Sequence, residues 1–380
     1  MPAVLQPELE ALIACGAAPP EAVRRLSQLL SGSLNWPMLV DLADGAGMLP
    51  LLSGILYQCP SDQMPPAILA DIRGRAASKA IRSLVMAGEL SRILRRLEAA
   101  GMAAIAFKGP TLAYLAYGDL ALRDSSDLDI FVPHHQIVTA LEILKGDGYE
   151  KKSPGFNIDL AGDIEIAVRR RNPPCEVDLH WQFSPRYFLP FDAARAAERS
   201  IVVRASGLTA RTLCREDLLL YVSLHAAREC WSLRSICDVA ALVRNCGMDW
   251  DDVLREAGRA HRWRPVAVGL ELAAGLFQAP VPPEVWKRVK QDSAVAGIAA
   301  DLLSNIRRGA AIFEDAPSGA LLHLRMIEGG SGKLRYLWHR AIEPKQTDVN
   351  FLQLPETISA GYYLIRPFRV ACAALGRLRR

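Results

Sequence analysis

Arg123-Asp124-Ser125-Ser126-Asp127-Leu128-Asp129-Ile130-Phe131-Val132 sets two carboxylates two positions apart where an apolar strand begins. Side chains alternate along a strand, so Asp127 and Asp129 point to one face and Leu128 and Ile130 to the other. Two carboxylates so placed repel each other unless a cation stands between them. Hard oxygen ligands suit Mg²⁺, which also takes substrate phosphates and water. The stretch predicts a metal-binding face on a short buried strand, ended by Pro133.

Downstream, Ile164-Glu165-Ile166-Ala167-Val168 and Glu176-Val177-Asp178-Leu179-His180-Trp181 both alternate, with Arg171-Asn172-Pro173-Pro174 as a turn between them. That pattern predicts a hairpin. It presents a third carboxylate, Asp178, with His180 on the same face and Glu165 and Glu176 read as surface residues. Three carboxylates can hold two metal ions, one activating an attacking hydroxyl and one clamping a triphosphate. Asp178 is the natural proton acceptor.

Upstream, Met102-Ala103-Ala104-Ile105-Ala106-Phe107 reads as a buried strand broken by Lys108-Gly109-Pro110, with a short helix over 111–117. A turn of this kind lets backbone N–H groups approach phosphate oxygens. Lys108, Gly109, Thr111, Arg123 and Ser126 are the candidates for holding a triphosphate. Arg123 has an alternative, an ion pair with Asp124 or Asp127.

The remainder is helical. Helices are predicted at 7–15, 20–30 and about 66–100, the last with Ile81, Leu84, Val85, Ile93, Leu94 and Leu97 as its apolar stripe. From Arg215 on, helical patterns run over 216–229, 232–245, 249–261 and 265–277. A final basic amphipathic helix is predicted over 358–378, after a break at Gly329-Gly330-Ser331-Gly332. On the helix from Glu216, His225 is a candidate substrate-facing group. Asp238 is expected to pair with Arg234 one turn away. The expected architecture is α+β: a helical region at 1–100, a small mixed-sheet core at 101–190, and a helical C-terminal domain at 191–380 with a basic tail.

Net charge is +4 in 380 residues, too mild to indicate a nucleic-acid partner, which is therefore not favoured. The 8 cysteines contain no C-x-x-C pair, so no zinc signature is present, and they read as buried thiols of a cytoplasmic protein. The N-terminus lacks the pattern of a signal peptide, and no apolar run reaches membrane-spanning length.

With these motifs quoted, the chain resembles the DNA polymerase β nucleotidyltransferase superfamily. More narrowly, it is similar to a bacterial family of uncharacterised nucleotidyltransferases. Lys108-Gly109, Arg123 with Asp127 and Asp129, and Val177-Asp178-Leu179-His180-Trp181 carry the resemblance. Leu224-His225-Ala226-Ala227, Trp231 and Asp238 extend it into the helical half. The resemblance implies two Mg²⁺ ions (Mn²⁺ as substitute), an NTP donor with ATP as first choice, and a small-molecule, peptide or protein acceptor. Two positions depart from the pattern. The usual Gly-Ser is Gly109-Pro110, and Pro110 has no N–H to offer. A second histidine common in the family is Glu229 here. Phosphoryl transfer on the same fold, or a non-catalytic partner-binding module on a degenerate core, are the alternatives.

Overall fold

A computed structural model describes residues 7–60, 64–152, 164–185, 187–205, 207–259, 261–308, 317–344, 348, 351–354 and 360–378. The predicted hairpin's Ile164 lies at the edge of one such segment. Part of the predicted final helix, and Arg379 and Arg380 of the basic tail, fall outside the described residues.

Four short helices open the chain: α1 (Pro7–Cys15), α2 (Pro19–Leu30), α3 (Trp36–Gly45) and α4 (Leu49–Leu56). Proline in the first turn starts α2, α3 and α4, where its missing N–H costs no hydrogen bond. Asn35 caps α3 by accepting from the Met38 N–H. Then α5 (Pro66–Ala99) runs for 34 residues. Its C-terminal half buries Ile93, Leu94 and Leu97 as predicted, and Leu90 with them, but Ile81, Leu84 and Val85 stand in solvent. Periodicity reports only that a helix has an apolar side. Here Ser83, Met86 and Ala87 on one side of α5 are covered, and the side that carries Ile81, Leu84 and Val85 is not.

A five-stranded mixed sheet follows, in the order β1-β2-β5-β4-β3. Its strands are β1 (Ile105–Ala106), β2 (Leu128–Phe131), β3 (Glu150–Lys151), β4 (Glu165–Arg171) and β5 (Pro174–His180). The apolar run at 102–107 shrinks to a two-residue strand, because only Ile105 and Ala106 pair with Phe131 and Ile130. The predicted hairpin forms as β4 and β5, turning at Asn172–Pro173. Between β1 and β2 lies α6 (Gly109–Tyr117), and α7 (Ile137–Gly146) follows β2. A second hairpin, β6 (Ile201–Ala205) with β7 (Leu208–Thr212), is not foreseen in the sequence. Ile201-Val202-Val203 and the inward row Leu208, Ala210 and Thr212 carry a strand signal, but each run is only 5 residues long. The hairpin docks on α5 through Ser91, whose hydroxyl accepts from the Thr209 N–H.

The sheet separates two cores. On one face Leu128, Ile130, Val177 and Leu179 pack with α5 and α7. On the other, Phe107 and Phe131 join the large helical core built from α9 (Arg215–Arg228), α10 (Leu233–Asn245) and α12 (Trp263–Phe277). That core also takes in α1 to α4, so residues from all three regions of the chain share it. A side chain at Gly16 would strike the Phe277 ring at 2.3 Å, so closely does the first helix approach α12. Among the described residues no helix is long and apolar enough to cross a membrane.

Candidate active site

The acidic face is set by strand register. β2 and β5 run parallel with Asp129 opposite Asp178 and Phe131 opposite His180. β4 continues both rows, with Ala167 beside Asp178 and Glu165 beside His180. Paired residues on adjacent strands share a face, so Asp129, Asp178 and His180 project to the same side, with Asp127 one residue before β2. Ala167, the small neighbour, leaves room above Asp178.

Asp129 is buried at the centre of this face. Its Oδ1 lies 3.5 Å from Lys108 Nζ and 3.2 Å from His180 Nε2. Its Oδ2 is buried and has no hydrogen-bond partner among the described residues. Burial opposes ionisation of Asp129, but Lys108 and His180 outweigh it and hold the carboxyl well below the usual carboxylate range. Asp127 and Asp178 move the other way. Burial, followed by repulsion from Asp129, raises Asp127. Burial, then Glu165, Asp129 and Asp127, pushes Asp178 up to about 6. Beyond His180, Nδ1 lies 3.1 Å from Glu165 Oε2, an ion-pair contact without hydrogen-bond geometry.

Glu165 therefore belongs to the site rather than to the free surface, as the sequence reading had it. Counting outward from the turn at Asn172-Pro173 pairs it with His180, so the signal was present in the hairpin.

The chain approaches this face through Lys108 and Gly109. Gly109 has φ +53°, and a Cβ there would sit 3.3 Å from the Asp127 carbonyl oxygen. Only glycine takes that turn without strain so close to the acidic loop. Ser126 is exposed beside Asp127. Two of the expected phosphate contacts are otherwise engaged. Thr111 is fully buried, and its hydroxyl donates to the Lys108 carbonyl at 2.9 Å. Arg123 points away from the acidic face and grips Asp238 on α10, Nε to Oδ1 at 3.0 Å and Nη2 to Oδ2 at 3.0 Å. The expected Asp238–Arg234 pair is thereby replaced. Arg234 instead donates to the Asp124 carbonyl, and the Asp124 carboxylate takes Lys79 and Arg82 from α5. Asp124, Arg123 and their partners thus fasten the start of the loop leading to Asp127.

Helix α9 covers the rim. Phe107 packs edge-on against both His180 and Tyr221, with ring centroids 4.9 Å apart in each case, and Tyr221 stacks on His225 at 5.7 Å. His225 Nε2 lies 3.0 Å from Glu229 Oε1. Burial and then the charge of Lys108 bring His225 down to about 4, so its ring is neutral near pH 7. Glu229 fills the position where the resemblance has a histidine, and here it orients His225.

The donor set fits a hard divalent cation in three respects. All three carboxylates lie on one face. Asp129 keeps a buried oxygen without a partner. The carboxyls of Asp127 and Asp178 are raised by burial and then by neighbouring carboxylates, Asp129 acting on both, and a cation would relieve that repulsion. As the side chains lie, no group of three or more His, Cys, Asp or Glu among the described residues is drawn together tightly enough to hold a metal ion. The backbone register brings the carboxylates together. Closing them on one ion requires side-chain rotation.

Asp178→Asn is expected to stabilise the metal-free chain near neutral pH. An acid whose folded pKa is raised favours its protonated form, so folding loses stability as pH climbs from the unfolded value through about 6. The shift corresponds to ~3 kcal/mol at most, and partial exposure reduces this to ~1–2 kcal/mol. Denaturant midpoints in EDTA should coincide for variant and wild type at about pH 3.5 and separate, with the variant higher, at about pH 7.5. Equal midpoints at both would disprove the strain.

With the geometry established, comparison with known proteins gives a family. The profile of a family described as uncharacterised nucleotidyltransferases matches residues 32–278. The match spans well over half of the chain, and the chain belongs to that family. Among solved structures, an antigenic nucleotidyltransferase-like protein from Paracoccidioides brasiliensis is similar at 15% identity, over 53% of this chain and 95% of that one, with a TM-score of 0.31. No curated protein matches.

Proposed function

We propose that this protein transfers a nucleoside monophosphate from an NTP, ATP first, to an acceptor, releasing pyrophosphate. The observation that carries the proposal is the register of Asp129 against Asp178 on adjacent parallel strands, with one buried Asp129 oxygen left without a partner. Asp127, Asp129 and Asp178 are the residues to hold two Mg²⁺ ions, with Mn²⁺ as substitute. Bound there, such ions supply charge for the phosphate oxygens and for the attacking and leaving oxygens.

The chain's own groups account for the rest. An acceptor hydroxyl oxygen bonds to the α-phosphorus and the bond to the pyrophosphate oxygen breaks. Asp178 takes the hydroxyl proton. Lys108 offsets charge at the phosphates, Gly109 permits their close approach, and Ser126 stands exposed at the same edge. His180 holds Asp129 in place, while His225, turned by Glu229, faces the acceptor side. Arg123 acts through Asp238 on the loop and not on the substrate. The acceptor class is a small molecule, peptide or protein, and the weak net charge does not favour a nucleic acid.

A non-catalytic partner-binding module is the second reading. It is favoured by Pro110, which has no N–H at the start of α6, and by the engagement of Arg123 with Asp238. One experiment separates the readings. The full chain is incubated with Mg²⁺, a cell extract and each NTP labelled in the base, then with γ-labelled ATP. Base label in a product, lost with EDTA, supports nucleotidyl transfer. Label only from the γ-phosphate would redirect the reading to phosphoryl transfer. No labelled product, with no heat of NTP or Mn²⁺ binding, would establish the module.

A further inference from the structure

Away from the acidic face, a recess of about 590 Å³ opens between α1, α4, α10 and the C-terminal end of α6. Its size falls in the range of small-molecule sites, ~300–1,000 Å³. Leu51 and Ile55 form an aliphatic wall, and Tyr114 and Tyr117 an aromatic one. Two arginines, Arg215 and Arg244, line the same recess.

Neither arginine has a carboxylate within ion-pair distance among the described residues. Arg244 is largely enclosed and donates through Nη2 alone, to the carbonyls of Phe277 at 2.9 Å and Gly16 at 3.3 Å. Burial lowers its pKa, and only a thiol and a phenol work in the opposite direction. Arg123, Arg199 and Arg264 each have an acidic partner, Asp238, Asp217 and Asp292, whereas Arg262, like Arg244, donates to a backbone carbonyl. An enclosed guanidinium without a counter-ion is costly, and Arg215, exposed on the same recess, supplies a second positive charge to it. A cavity whose walls are apolar and aromatic and whose unmatched groups are both cationic is complementary to one kind of molecule.

We propose that this recess is a binding site for an organic anion: an aromatic or aliphatic body carrying one carboxylate, phosphate or sulfonate, with the acid group on Arg244 and Arg215. The site is separate from the acidic face, yet not isolated from it. The hydroxyl of Tyr117, a wall of the recess, donates to Asp238 at 2.8 Å, and Asp238 holds Arg123 ahead of the acidic loop. A ligand there would sit one hydrogen bond from the anchor of the catalytic loop.

The test uses the full chain and the fluorescent aromatic sulfonate 8-anilinonaphthalene-1-sulfonate, with its uncharged analogue N-phenyl-1-naphthylamine as control. The expected result is one saturable sulfonate site on the folded chain, with the neutral analogue bound at least about tenfold more weakly. Arg244→Met should weaken sulfonate binding about tenfold, the loss of one charge-assisted contact, and Arg215→Met about threefold. Near-UV circular dichroism checks that each variant is folded. Should Arg244→Met fail to fold, the exposed and unpaired Arg215 decides the question alone. Displacement by 1-naphthoate against 1-naphthyl phosphate tells a carboxylate site from a phosphate site. Absence of saturable binding, equal affinity for the neutral analogue, or unchanged affinity in the folded variants would overturn the proposal. None of these readouts involves NTP or metal, so the result stands apart from the transferase reading.

Discussion

Asp129→Asn should remove metal-dependent label transfer, lowering it by about 10³-fold or more, ~4 kcal/mol of transition-state stabilisation. Asp129 is the centre of the acidic face. It is the carboxylate opposite Asp178, and its second oxygen is buried without a partner. Its ionised form is already secured by Lys108 and His180, so it is the acidic group ready to accept a cation at any ordinary pH. Asparagine keeps the shape and one acceptor oxygen but takes away the charge.

The same substitution leaves Lys108 and His180 without their common anion, and a loss of ~1–3 kcal/mol in stability is expected alongside. Mn²⁺ calorimetry on the folded variant separates the two effects. Binding should fall by at least about 100-fold while near-UV circular dichroism is retained. Asp127→Asn, at a half-exposed position, should lose less. Wild-type Mn²⁺ affinity in folded Asp129→Asn would end the metal proposal.

Arg123 and Asp238 form the second large effect. Both side chains are almost wholly buried, at 8% and 3% exposure, and joined by paired hydrogen bonds, with Tyr117 donating to the same carboxylate. Removing one member leaves the other as an uncompensated buried charge, which costs ~3–5 kcal/mol. Arg123→Met and Asp238→Leu should each lower the unfolding free energy by that amount. The double variant should recover most of it, because two apolar groups in place of a buried ion pair are close to neutral. A double-mutant cycle in urea measures the coupling, and additive losses would contradict it. Because Arg123 lies four residues ahead of Asp127, each single variant should also loosen the acidic loop and reduce transfer beyond its effect on folding.

Much of the site is legible along the chain. Asp127, Asp129, the strand after them, the Lys108-Gly109 break and the hairpin carrying Asp178 are local patterns, fixed by alternation and turn chemistry within about ten residues. Two of the expectations that fail share one cause. Arg123 is read against its neighbours Asp124 and Asp127, and Asp238 against Arg234, because only sequence-near partners are visible. Their true partners are each other, 115 positions apart. Ile81, Leu84 and Val85 are read as core for a related reason, since a stripe on a helix does not say whether another element reaches it.

The amino-acid sequence alone determined β2, the β4–β5 hairpin, the helices α5, α9, α10 and α12, and the acidic pair at Asp127 and Asp129, because each is decided by the chain's own period and by residues a few positions apart. The tertiary structure alone decided that β2 and β5 lie parallel and in register, so that Asp178 and His180 come to Asp129, and that α10 captures Arg123. The physical reason is that strand neighbours and buried charge partners are chosen by which surfaces can be desolvated together, and that choice is made by the whole core at once.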